Sequence, residues 1–472
     1  MFLDILRNRL SSLEVSISQQ EHLLQQLKEQ RAAVQLQLDL FIYPILTLPR
    51  EITSEIFLWC SAHNCNEPHP SLAPLLLLKV CRAWRALALS VPALWDSLAD
   101  AEFRVPEKME DLITTWFSRA GARPLSLHVT YIGDPESFHM HSLIRRHASR
   151  LESLDLCTDG DCFSDLADIR PFPLLRDLTL ASLGGMLEPN GNPIPVFSGA
   201  PLLRHLSVEH LAPSALMMPW SQLTKFTAIL VTLQECLGVL RLATSLCEFH
   251  RFSSPEEESI IGQPLVCHSG LNSLIIEAND GVDHDILQFL TLPGLQKLEL
   301  GSRFGLWTSD MDSVVLRFLF QTSTTLRTVT VGMSPVVPLQ WFQILTHLTT
   351  LELVGPKWES TTEVVRALDR RNAPDFLPKL QNLAYLECAS DQVNVELLDA
   401  LSSRYADEPN SGCTDDATDT ARARLQSFRL IWPEHSSTPV ASLPLLHVAT
   451  LRALASRGMH IHIGTRYQNN FY

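Results

Sequence analysis

Apolar residues recur along this chain with more than one period, and each period predicts a different element. Between residues 6 and 41 they fall at alternating steps of four and three: Leu6, Leu10, Leu13, Ile17, Leu24, Leu27, Val34, Leu38 and Phe41. Gln20 and Arg31 take the two polar positions of the same seam, and neither Gly nor Pro interrupts it. A repeat of 3.5 held over this length predicts a coiled-coil helix across residues 1–43, ended by Pro44. Such a seam suits either a second copy, giving a homodimer through residues 6–41, or the body of its own chain.

Residues 44–99 carry short helical stripes instead. In ILTLPREITSEIFLWC, Pro49 suits a helix start, where its missing N–H costs nothing. Ile52 and Ile56 then lie one turn apart, with Trp59 three further on. In the second stretch Leu77, Val80, Cys81, Trp84, Leu87 and Ala88 share one face, with Arg82 and Arg85 opposite. Pro92 breaks the chain before an apolar knot of Leu94, Trp95 and Leu98. A unit this small cannot hide all of that apolar surface, so a partner is expected. Residues 100–122 read as a connecting helix.

From residue 123 to 472 the pattern becomes L-x-x-L-x-L. It appears as LESLDL at Leu151, LRDLTL at Leu175, LRHLSV at Leu203, LNSLII at Leu271, LQKLEL at Leu295, LRTVTV at Leu326, LTTLEL at Leu348 and LQSFRL at Leu425. Weaker copies start at Leu223 and Leu246, one near Leu380 reads in two frames, and PLSLHVT and MHIHIG supply the first and last strands. Neighbouring starts mostly lie 20–32 residues apart with helical pieces between them, the period of leucine-rich repeats. The expected fold is therefore α/β: a solenoid with a parallel sheet and outer helices, behind a small all-α unit and a coiled-coil helix. A compact α/β domain with leucine-rich strands is the alternative. The copies lack the asparagine that regular repeats place after the strand, which predicts uneven curvature and some repeats without a clean helix. Residues 404–422, acidic and turn-rich, read as a disordered surface loop.

In each copy the last two apolar positions face the core, and the residues between and beside them face the concave surface. That surface holds Asp177, Thr179, His205, Ser207, Lys297, Glu299, Thr328, Thr330, Thr350 and Glu352, the expected target-binding positions. Their mixed charge names no ligand type.

Leu48-Pro49-X-Glu51-Ile52, Val80-Cys81-Arg82-X-Trp84 and Leu94-Trp95, taken together, resemble an F-box, and the whole chain resembles fungal F-box/leucine-rich-repeat proteins. The stretch from residue 61 to 74 is longer than in the compact form of the motif. The resemblance implies docking to a Skp-type linker and its cullin scaffold through Leu48, Pro49, Ile52, Ile56, Val80, Cys81, Trp84, Leu94 and Trp95. It implies a substrate-recruiting subunit of a ubiquitin ligase, without catalytic residues or cofactors. The alternative is a scaffold that joins proteins without ubiquitin transfer.

Charge and chemistry narrow this further. Fifty-two acidic against 37 basic side chains give −15, which repels phosphate backbones and argues against nucleic acid. The longest apolar run, Leu72 to Leu78, contains Pro74 and is too short to cross a bilayer, so no membrane partner is expected. The start lacks a secretory pattern, no Asn-X-Ser/Thr sequon occurs and the ten cysteines are scattered. A reducing compartment, cytoplasm or nucleus, follows. No nucleophile elbow, phosphate loop or zinc-protease helix is present. Cys60, His63, Cys65 and His69 have metal-ligand chemistry but no standard spacing, and read as a polar loop. His139, His141 and His147 read as solvent-exposed.

Overall fold

The computed structural model describes residues 2–39, 44–62, 68–99, 106–130, 140–158, 169, 171–185, 193–253, 263–278, 285–302, 309–332, 338–355, 358–388, 393–405, 422–433 and 444–466. His63 and Cys65, His139, and most of the 404–422 segment lie outside the described residues. The chain divides into two compact units, Met1–Asp96 with Ser118–Gly121, and Ser97–Phe117 with Ala122–Tyr472.

The first unit is helical. Helix α1 (Phe2–Asp39) carries the heptad seam, and its described apolar members stand about half exposed rather than packed into the unit. A 3-10 turn (Pro44–Thr47) leads to α2 (Arg50–Ala62), whose first hydrogen bond runs from the Thr53 N–H to the Pro49 carbonyl at 3.0 Å. Pro49 thus sits where no donor is needed. After α3 (Leu77–Val80), Cys81 turns extended and its Sγ accepts the Trp84 N–H at 3.4 Å, starting α4 (Arg82–Ser90). A second 3-10 turn (Pro92–Leu94) follows. Phe57, Leu77, Ala88, Leu94 and Trp95 form the interior. The Phe57 and Trp84 rings meet edge-on at 5.0 Å, and the Trp95 indole donates to the Ala88 carbonyl at 2.9 Å. The Arg119 guanidinium lies 4.4 Å over the Trp95 ring.

The second unit is built on one sheet. Its strands are β1 (Ser97–Leu98), β2 (Leu125–Thr130), β3 (Leu151–Thr158), β4 (Asp177–Ser182), β5 (His205–Glu209), β6 (Lys225–Ile229) and β7 (Glu248–Ser253). A short β8 (Val266–Cys267) pairs with β10 (Leu290–Thr291) outside it. The sheet continues with β9 (Ser273–Ala278), β11 (Lys297–Ser302), β12 (Thr328–Gly332), β13 (Thr350–Val354), β14 (Asn382–Leu386), β15 (Ser427–Ile431) and β16 (His460–Gly464). All fourteen strands run parallel and lie in chain order. A doubly wound domain shuffles its strands around a switch point. Here each strand is added to the growing edge, a solenoid-like arrangement that sets aside the compact alternative.

The register explains the L-x-x-L-x-L spacing. Leu98, Leu127, Leu154, Leu178, Leu206, Phe226, Phe249, Leu274, Leu298, Val329, Leu351, Leu383, Phe428 and Ile461 form one row across the sheet, and every member is buried. Parallel sheets usually have both faces covered. In this sheet the alternate residues remain largely half-exposed, so one face stays open. The other is backed by α6 (Met140–His147), α7 (Leu233–Leu242), α8 (Ser309–Thr322), α9 (Leu339–Gln343), α10 (Trp358–Leu368), α11 (Val395–Tyr405) and α12 (Leu445–Ser456), after α5 (Pro106–Arg119) in the connection. Between β5 and β6, a connection described throughout, there are only 3-10 turns, a repeat without a clean helix as the missing asparagine predicts.

Several expectations need correction. The sheet begins at Ser97, not after residue 122: Leu98, read as part of the apolar knot, pairs with Leu127. The segment read as a loop from residue 404 begins inside α11, where Arg404 and Tyr405 are buried. Arg404 donates to the Leu368, Phe376 and Leu377 carbonyls, and burial, with Arg370 adding, lowers its pKa to about 10. His147 is also interior, edge-on to Phe117 at 5.3 Å, because its face of α6 packs against the core. Burial, helped by Arg150 and Arg146, lowers its pKa to about 4. Near Leu380 the sheet selects the first frame, burying Leu380, Leu383 and Tyr385. In the LCEFHR copy the third core position is Arg251, fully buried, donating to the Val231 carbonyl at 2.6 Å and to Cys236 Sγ at 3.0 Å.

Candidate interaction surfaces

Two surfaces stand out, one on each unit. On the helical unit Ile45, Leu48, Ile52, Ile56 and Trp59 are exposed at spacings of three and four residues. They make a single apolar stripe that starts in the Pro44–Thr47 turn and runs down α2. Ile52 is 50% and Trp59 67% exposed. Pro49 is exposed beside them, Val80 and Leu76 add exposed apolar surface around α3, and Leu89 does so on α4. Of the nine expected linker-contacting residues, Cys81 and Trp84 are half-buried. Leu94 and Trp95 are not surface residues at all: with 1% and 0% exposure they fill the interior that holds α2 against α4. Trp59, Ile45, Leu76 and Leu89 belong to the exposed set without having been singled out as contacts. For Ile45 the signal was its place three residues before Leu48.

The open face of the sheet is polar, and its in-register strands turn sequence positions into rows about 4.8 Å apart. Acidic and basic side chains on neighbouring strands meet. His128 Nδ1 lies 2.7 Å from Asp155, Lys225 3.3 Å from Glu248 and His250 3.2 Å from Glu277; His205 pairs closely with Asp177. Lys297 and Glu299 pair at 3.3 Å along one strand.

Toward β16 this face holds a hollow of about 560 Å³. Glu277, Glu299, Glu352 and Glu387 line it with Arg429, His462 and Arg466, over an apolar floor that includes Leu300, Val354, Leu386 and Ile431. Glu352 is held from two sides, by the Thr330 hydroxyl at 3.1 Å and by Arg429 at 2.5 Å. Gly301 and Gly332 keep the floor low: a Cβ on Gly301 would stand 3.3 Å from Glu277 Cγ.

Of the expected target-binding positions, Glu299, Thr330 and Glu352 come together here. Thr330 is buried beneath its neighbours rather than solvated. Thr350 accepts from the Asn382 amide at 3.2 Å, and Lys297 and Thr328 lie on the same strands outside the lining. Asp177, Thr179, His205 and Ser207 occupy β4 and β5, away from the hollow. Glu277, Arg429 and His462 occupy open-face positions of strands read correctly in the sequence. Glu387 and Arg466 follow strand ends, where no pattern marks them.

Among the described residues no cluster could hold a metal ion, and no helix is long and apolar enough to cross a membrane. No family model matches the chain, and no curated protein matches it.

Proposed function

We propose that this chain is the substrate-recruiting F-box subunit of a cullin-based ubiquitin ligase, acting in the cytoplasm or nucleus. In this reading residues 44–99 dock on a Skp-type linker, and a leucine-rich-repeat solenoid presents a target protein on its open face. The subunit makes and breaks no bonds; it supplies proximity and orientation to ubiquitin transfer elsewhere in the assembly. The observation that carries the reading is the apolar stripe of α2. Leu48, Ile52 and Ile56, at the positions where the F-box resemblance expects linker contacts, are left outside by the unit's own packing.

The test is co-purification of a Skp-type linker and cullin with the wild-type chain and with a Leu48→Ala, Ile52→Ala variant. Full burial of such a side chain contributes about 1.5–3 kcal/mol. Each is already about half covered, so the pair should weaken the linker complex by roughly ten- to a hundredfold. Equal recovery of the linker at equal expression would remove the F-box reading. A plain scaffold, favoured by the exposed seam of α1, would then stand in its place.

A further inference from the structure

Among the described residues nothing covers the seam of α1: Leu10, Leu13, Ile17, Leu24, Leu27 and Val34 are each more than half exposed. Its two polar members are placed symmetrically. Gln20 lies five residues before Gln25, and Arg31 lies five after Gln26. We propose that α1 joins two copies of this chain as an antiparallel coiled coil centred between Gln25 and Gln26.

The seam alternates between two heptad positions, with Leu10, Ile17, Leu24 and Arg31 at the first and Leu13, Gln20, Leu27 and Val34 at the second. In an antiparallel pair each first-type position faces a second-type one. About the stated centre Leu24 meets Leu27 of the second copy, and Ile17 meets Val34. Gln20 meets Arg31, twice, by symmetry. Both polar side chains are then spent on each other, and every other layer between them is apolar. The flanking residues agree. Glu21 and Lys28, both exposed, each follow a second-type position, and such positions face each other across an antiparallel pair. Two Glu21–Lys28 ion pairs result, one on each side of the centre. A parallel, in-register pair would instead stack Arg31 on Arg31 and Gln20 on Gln20, and its matched charges would reduce to Arg9 with Glu14. Opposed helix dipoles favour the antiparallel form as well.

The experiment uses the full chain. Light scattering should give the mass of two copies. Glu21→Lys, or Lys28→Glu, turns two attractions into two repulsions and should raise the dissociation constant about tenfold. Glu21→Lys combined with Lys28→Glu should restore it. These positions are exposed, so folding of the single chain is not at stake. Orientation is read from energy transfer between dyes on the two N-termini, which an antiparallel pair holds about 70 Å apart at 1.5 Å per residue. Single-copy mass, strong transfer, or a double variant as weak as the single ones would each overturn the proposal.

Discussion

On the stripe that runs from Leu48 down α2 the side chains left outside are apolar, Leu48, Ile52, Ile56 and Trp59, whereas on the open face of the sheet they are histidines, threonines, lysines and glutamates. The difference follows from how each unit closes its core. The α2–α4 helices have few neighbours and spend Phe57, Leu77, Leu94 and Trp95 on a small interior, so a second stripe has nowhere to go. Apart from a shift where β3 meets the start of β2, the strands of the sheet stack in register, which carries most new apolar pairs into the existing rows. Apolar surface left over gives affinity to whatever covers it. Charges that already pair across strands, such as Lys225 with Glu248, contribute mainly selectivity.

The largest effect that separates the two regions is in the core row. Leu298→Ala should cost about 2–5 kcal/mol, because the side chain is fully buried and its strand is held on both sides. Ile52→Ala, on the stripe, should cost under about 1 kcal/mol of stability while weakening partner binding. Denaturant unfolding of both variants measures this, and equal losses would mean the stripe is part of the unit's own core.

A pH titration sharpens the contrast from inside the sheet unit. His147 has a folded pKa of about 4 against an ordinary 6.5, so the unfolded chain takes up its proton first. The stabilising contribution is complete above pH 6.5, declines as pH falls toward 4, and amounts to at most about 3 kcal/mol. His147→Leu should flatten the melting-temperature profile in that window. A profile identical to wild type would show that the histidine does not carry it. The smallest effect belongs to the open face: a double-mutant cycle on Lys225 and Glu248 should give under about 1 kcal/mol. A larger coupling would mean these pairs hold the sheet together as well as decorate it.

Much of this architecture was legible along the chain. Leu274, Leu298 and Leu351 announce core positions because a parallel, in-register sheet repeats one local environment, and a repeated environment selects a repeated residue type. Glu299 and Glu352 were identifiable as open-face residues by the same alternation. Arg251 breaks the pattern, and only its contacts with Val231 and Cys236 show that a charge has been admitted to the core.

By itself the sequence determined which face of most strands is apolar, where α2 begins, and the period of the seam. These depend on spacing along one element, and spacing is local. Only the tertiary structure decided that Leu94 and Trp95 are interior while Leu48 and Ile52 are not, since all four are equally apolar and only the available neighbours distinguish them. It alone decided that His147 lies against Phe117, and that Glu277, Glu352, Glu387 and Arg466 converge on one hollow. Residues so far apart in the chain meet only because successive strands stack in register, and no local pattern records which turn of the stack will bring them together.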